Sequence, residues 1–204
     1  MNFHQFKEKM SKYTVFSYTD IKKIDPGFHR PQLGHWHTQG LVQKLRRGYY
    51  IFPNTRLTTS DLFLVSNRLY DNSYVSLESG LNFYGLIPEG VFTVTAVSTK
   101  NTAYFDTPVT AFRYQHIKRD LFFGYVLLEN RAKIAAPEKV LLDYLYFHPE
   151  ICEAADFAAW RFNSDEFIKQ ANFDHLQRYA LVYPKTVQAR LEIVLQRIRN
   201  SSHA

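Results

Sequence analysis

Cysteine is nearly missing from this chain: Cys152 stands alone among 204 residues. It cannot form an internal disulfide, so the fits are a reducing, cytoplasmic setting and a fold held by its core. No segment approaches the ~18 consecutive apolar residues of a membrane span. The opening MNFHQFKEKM lacks the apolar run of a secretory signal, and no membrane partner is expected. No repeat and no low-complexity tract occurs. There is no G-x-S-x-G elbow, since Leu77-Glu78-Ser79-Gly80 does not match it, and no Gly-rich run precedes a helix. His35 and His37 are spaced H-x-H, which on a helix sets them ~200° apart, too far to chelate one ion. No catalytic set, metal or cofactor is therefore expected, and Cys152 reads as a small, half-buried apolar residue.

Acidic residues are also scarce at one end. Residues 1–60 hold 10 Lys+Arg against 3 Asp+Glu, a net of +7, while residues 61–204 hold 15 against 16, a net of −1. All of the basic excess thus lies in the first quarter. Such asymmetry points to a polyanionic partner there, against the plainer reading of a solvated basic face. Apolar content is ample for a core, with 17 Phe and 14 Tyr.

Residues 28–52, FHRPQLGHWHTQGLVQKLRRGYYIF, concentrate the signal. A first helix is predicted over 2–12 from Phe3, Phe6 and Met10. Thr19 suits the N-cap of a short second helix with Ile21 and Ile24 inward. Asp25-Pro26-Gly27 makes the turn. A third helix begins near Arg30, with Pro31 in its first turn and Gly40 at the left-handed position that ends it. At about 100° per residue, Leu33, Trp36 and His37 face inward. Gln32, His35 and Gln39 share the opposite ridge, and Gln matches the N6/N7 edge of adenine. Their alternative is the wet face of a surface helix. Leu41–Leu45 and Tyr49–Phe52 then flank Arg46-Arg47-Gly48 as a hairpin, with Lys44, Arg46 and Arg47 at its tip, where cations meet phosphates. An edge hairpin blunted by charge is the competing explanation. Tyr49 and Tyr50 are expected to pack the wing against the helices. The outline is a winged helix-turn-helix over residues 1–60, with Gln32, His35 and Gln39 reading bases and Arg30, Lys44, Arg46 and Arg47 holding phosphates of double-stranded DNA.

Residues 61–204 form a second region. Helices are predicted over 61–70 and 74–86, strands over 92–98, 103–105, 110–116, 121–128 and 132–135, and helices about 136–199. The fold class is α+β: the winged helix, then a mixed domain with a small sheet about 91–135 and a helical C-terminal part. Glu138 and Lys139 read as cap and solubilising charge on a helix opened by Pro137. Arg190, Arg197 and Arg199 read as an exposed basic face.

Five segments, in order, carry a family resemblance: LRRGYYIFP (45–53), YVSLESGLNFYGLIPE (74–89), FTVTAVSTK (92–100), FRYQHIKRDLFFGY (112–125) and IAAPEKVLLDYLY (134–146). Over roughly residues 15–147 the chain resembles the AbiEi family, antitoxins of type IV toxin–antitoxin systems; the remainder resembles it only as a helical tail. The resemblance implies an N-terminal winged helix that represses its own operon at an upstream operator. It also implies a C-terminal region that counteracts an AbiEii-like nucleotidyltransferase toxin, without requiring a stable complex. Shorter relatives are known only as transcriptional regulators. Glu138, Lys139 and Asp143 are motif positions to which the resemblance assigns no reaction.

Two other classes compete. A winged helix can serve as a protein-interaction module. A metal-dependent nuclease needs carboxylates near a lysine on a sheet, for which Asp106, Glu129 and Lys133 are candidates; surface charge at strand ends is the plainer explanation.

Overall fold

The structure, a computed structural model, describes residues 1–201. It is an α+β fold. The first part runs α1 (Phe3–Met10), β1 (Phe16–Ser17), α2 (Tyr18–Ile24), α3 (Arg30–Thr38), β2 (Gln43–Arg46) and β3 (Tyr49–Ile51), with an antiparallel sheet in the order β1-β3-β2. Phe6 lies at the centre of its core, with ring contacts to Phe3, Phe16, Phe28, Trp36 and Phe52.

The second part opens with α4 (Thr59–Leu69), whose Thr58 cap accepts from the Asp61 N–H while Asp61 accepts from Thr58. Next come β4 (Ser73–Val75), α5 (Leu77–Phe83), β5 (Thr93–Ser98), β6 (Ala103–Asp106), β7 (Ala111–His116), a 3-10 turn at Arg119–Leu121, β8 (Tyr125–Leu127) and β9 (Lys133–Ala135). They build one mixed sheet in the order β6-β7-β5-β4-β9-β8, parallel at β5/β7 and β4/β9. On β5 every residue from Val94 to Ser98 is buried, as expected of a strand covered on both faces. The helices α6 (Pro137–Phe147), α7 (Ala154–Ala159), α8 (Ser164–Gln170), α9 (Phe173–Ala180) and α10 (Lys185–Ser201) follow. Among the described residues no helix is long and apolar enough to cross a membrane.

One apolar cluster joins the two parts. Val15, Leu45 and Ile51 pack with Phe63, Val65 and Leu69 of α4 and with Val94, Phe112 and Tyr114 of the sheet. On the other face, Tyr74, Leu81, Val97 and Ala135 pack with α6, α9 and α10.

Several expectations need correction. The helix expected from residue 74 starts only at Leu77, because Ser73–Val75 pairs with both β5 and β9. The strand expected over 121–128 shrinks to Tyr125–Leu127, its start taken by the 3-10 turn. Cys152 is exposed. Arg190 is half-buried and donates to the Leu145 carbonyl at 2.9 Å. Glu138 and Lys139 are buried, not solvated. Lys139 Nζ contacts Asp143 Oδ1 and the Tyr183 hydroxyl inside the rings of Tyr74, Phe123 and Tyr183. Asp143 also accepts from Tyr74 at 3.0 Å, Ser76 at 2.8 Å and Tyr183 at 2.6 Å. Burial pushes the Lys139 ammonium down from its ordinary value, against the pull of Asp143.

Candidate nucleic-acid interface

Local chemistry sets the limits of α2 and α3. Ser17, not Thr19, caps α2: its hydroxyl accepts from the Asp20 N–H at 3.3 Å, and Asp20 accepts from the Ser17 N–H at 2.8 Å and its hydroxyl at 2.7 Å. Asp25 ends α2 and shapes the turn, accepting from the Gly27 N–H on its side chain and the Phe28 N–H on its carbonyl, both at 3.0 Å. Pro31 sits in the first turn of α3. At the other end Gly40 takes φ +71°, with Gly40 N–H donating to His37 and Leu41 N–H to Trp36. That pair of bonds satisfies two orphan carbonyls and stops the helix.

The rotation of α3 follows from its core contacts. Leu33 and Trp36 are buried, and Trp36 packs on Phe6 at 4.6 Å and Phe28 at 5.5 Å. His37 does not join them: it is exposed, with Nδ1 3.2 Å from the Val42 carbonyl. His35 and Gln39 are exposed and Gln32 is half-buried on the outer ridge. Among the described residues Gln32, His35, Gln39, Lys44 and Arg47 make no side-chain hydrogen bond or ion pair. Arg30 is exposed over the Tyr18 ring at 5.6 Å.

Arg46 departs from the phosphate role expected of it. Its guanidinium lies 3.8 Å over the Phe105 ring and donates to the Leu69 carbonyl at 2.8 Å. Both hold the hairpin against the second part and fix the guanidinium there. The tyrosines divide: Tyr50 stacks on Phe16 at 6.4 Å, while Tyr49 packs toward the joining cluster.

Sequence reasoning missed Arg68. From α4 it pairs with Asp20 in the first turn of α2, and Lys23 approaches the same carboxylate at 4.0 Å. Burial pushes Asp20 up, but Ser17 and Arg68 outweigh it and hold the carboxyl below its ordinary value. The one clue in the chain is the Ser17–Asp20 capping-box spacing, which fixes Asp20 as an anion at a helix start.

The nuclease candidates are not brought together. Asp106 ends the edge strand β6, Lys133 opens β9, and β7, β5 and β4 lie between. Glu129 is exposed in the turn before β9. Among the described residues no group of three or more His, Cys, Asp or Glu is placed to hold a metal ion. A cleft of about 600 Å³, lined by Glu78, Glu89, Phe92, Arg113, Tyr144 and Trp160, lies within the second part. Comparison with the models of known protein families finds no match for this chain, and comparison with curated proteins finds none either.

Proposed function

We propose that the protein is a sequence-specific DNA-binding repressor. Residues 1–60 would act as a winged helix-turn-helix that sets α3 in the major groove of an operator upstream of its own operon. Gln32, His35 and Gln39 would read base edges, while Arg30, Lys44 and Arg47 hold phosphates. The observation that carries this reading is the outer ridge of α3. Three side chains that pair well with bases stand there without protein partners, over a core that locks the helix's rotation. The element order around it, helix–turn–helix then hairpin, and the basic excess of this end support the same reading. By the AbiEi resemblance alone, the second part would serve as antitoxin to a nucleotidyltransferase-like toxin.

The test is fluorescence-anisotropy titration of the upstream DNA and of scrambled DNA across a salt series. Wild type should prefer the upstream sequence. Gln32/His35/Gln39→Ala should lose that preference, each good base contact contributing about 1–3 kcal/mol of discrimination. Lys44/Arg47→Ala should keep the preference and flatten the log–log salt slope by about 1.8. Equal affinity for both DNAs at every salt concentration would defeat the operator reading. No affinity for either would leave an interaction module.

A further inference from the structure

We propose that the cleft of the second part binds a free α-amino acid with an apolar side chain. Glu78 takes its ammonium, Arg113 its carboxylate, and Phe92 and Trp160 its side chain. This site is independent of the DNA-binding reading above. At about 600 Å³ the cleft falls within the range of small-molecule sites.

Strand pairing places the two charges. β5 and β7 run parallel with Thr95 opposite Arg113, so these two side chains and that of Thr93 stand on one face of the sheet. Val97 shares that face and packs in the same cluster as α6. On the other side of β5 from β7, α5 docks edge-on: the Ser79 N–H donates to Thr95 Oγ1 at 2.9 Å and the Thr95 N–H to Ser79 Oγ at 2.8 Å. That docking sets Glu78, in the first turn of α5, beside Thr95. Tyr144 of α6 and Trp160 after α7, stacked at 4.5 Å, line the helical side of the cleft. Glu89 and Arg161, 3.4 Å apart, tie the loop before β5 to the end of α7.

Some of the polar groups in the cleft are spent and others are not. The Thr95 hydroxyl donates to the Ser76 carbonyl at 2.9 Å and accepts from Ser79, and Glu89 has Arg161. Among the described residues the side chains of Thr93, Arg113, Tyr144 and Trp160 make no hydrogen bond or ion pair. Glu78 has one cation near it, His148 at 3.6 Å, and no ion pair with Arg113. Burial pushes the Glu78 carboxyl up, but His148 and the backbone N–H of Glu78 outweigh it and hold the group below its ordinary value, so it is an anion at neutral pH.

One anion and one cation thus flank Thr95 without pairing to each other. A polyanion such as a nucleotide would bring its phosphates up to Glu78 and Glu89. An organic cation would face Arg113, and an uncharged ligand would desolvate both charges without answering either. A zwitterion answers both, and a carboxylate suits the planar fork of the arginine. The apolar requirement comes from Phe92. Its ring is 92% exposed and, among the described residues, meets no other ring, while Ile87 and Val91 continue the apolar lining beside it. Covering that ring is favourable, and the side chain of the amino acid supplies the cover.

The test is isothermal titration of the full chain with L-phenylalanine, which should bind saturably with a dissociation constant on the order of 0.1–1 mM. 3-Phenylpropanoate, which lacks the ammonium, and phenylalanine amide, which lacks the carboxylate, should each bind about tenfold more weakly or worse. The variants assign the charges. Glu78→Gln should bind L-phenylalanine and 3-phenylpropanoate alike, and Arg113→Gln should bind L-phenylalanine and its amide alike. Arg113 and Phe92 are exposed, so Arg113→Gln and Phe92→Ala should keep the wild-type unfolding midpoint, and Phe92→Ala should weaken L-phenylalanine several-fold. No saturable binding of L-phenylalanine, L-leucine or L-tryptophan up to about 10 mM would overturn the inference. So would an amide that binds wild type as tightly as the free acid, or wild-type affinity in Arg113→Gln. None of these outcomes touches the α3 reading, which is measured on DNA.

Discussion

Lys139 and Asp143, one turn apart on α6 and both fully buried, give the sharpest test of what holds the second part together. Breaking a buried ion pair by removing one partner typically costs about 3–5 kcal/mol. The two partners are not equivalent here. Without Lys139, Asp143 still accepts from Tyr74, Ser76 and Tyr183, so Lys139→Met should fall at the low end, about 3 kcal/mol. Without Asp143, three hydroxyls lose their acceptor, at about 1–3 kcal/mol each, and the ammonium loses its counter-charge. Asp143→Ala should therefore cost about 5 kcal/mol or more, comparable to the whole stability of many domains. Lys139→Met/Asp143→Leu should be better tolerated than Asp143→Ala, because an apolar pair of similar volume avoids the desolvation of the charges. Urea unfolding followed by Trp160 fluorescence in a Trp36→Phe background reads the second part specifically, since Trp36 lies in the first core and Trp160 stacks on Tyr144. If Lys139→Met stayed within about 1 kcal/mol of wild type, or Asp143→Ala proved no worse than Lys139→Met, the reasoning would fail.

Three further outcomes follow from packing and charge. A Cβ on Gly80 would lie 2.8 Å from a methyl of Val140 on the facing helix, and valine is stiff there, so Gly80→Ala should cost about 1–3 kcal/mol and Val140→Ala should restore much of it in a double-mutant cycle. Arg46→Ala should lower the thermal midpoint through loss of its Phe105 and Leu69 contacts and leave the DNA salt slope unchanged; a slope reduced by about 0.9 would return Arg46 to a phosphate role. The Glu78 carboxylate, 3.6 Å from Nε2, raises the His148 imidazole above its ordinary 6.5, burial opposes this, and Glu150 adds to the rise. A raised histidine stabilises fully below its unfolded value and loses that contribution as pH rises through the folded one. Wild type should accordingly lose up to about 1 kcal/mol between pH 6 and 8, and His148→Gln should lose less, by denaturant titration at each pH.

The sequence is most legible where a residue's own covalent geometry decides the structure. Pro31 and Gly40 bracket α3 because the proline ring fixes φ and glycine, lacking a Cβ, takes a positive φ without strain. β5 shows itself through its β-branched residues, and β7 through Phe112 and Tyr114 alternating with Arg113 and Gln115. β4 does not: Tyr74 and Val75 extend a helical pattern, and only pairing with Val97, Ala96 and Ile134 makes them a strand. Lys139 reads as a solvated charge because the rings that enclose it arrive from remote segments. Arg46 reads as a free wing-tip cation for the same reason, its partners Leu69 and Phe105 lying beyond the hairpin. The ridge of Gln32, His35 and Gln39 is legible from helical period alone, whereas the Arg68–Asp20 pair exists only once α4 and α2 have met.

The apolar cluster shared across residue 60 has an architectural cost. Val15, Leu45 and Ile51 are plugged into a socket made by α4 and the sheet, so the first sixty residues cannot be lifted out as a cassette. A fragment ending there would present those side chains to water, and a foreign head grafted in its place would have to reproduce the plug. Gln32, His35 and Gln39 belong to no part of that joint. Drift in the outer ridge is thereby uncoupled from the constraint that freezes the inner one.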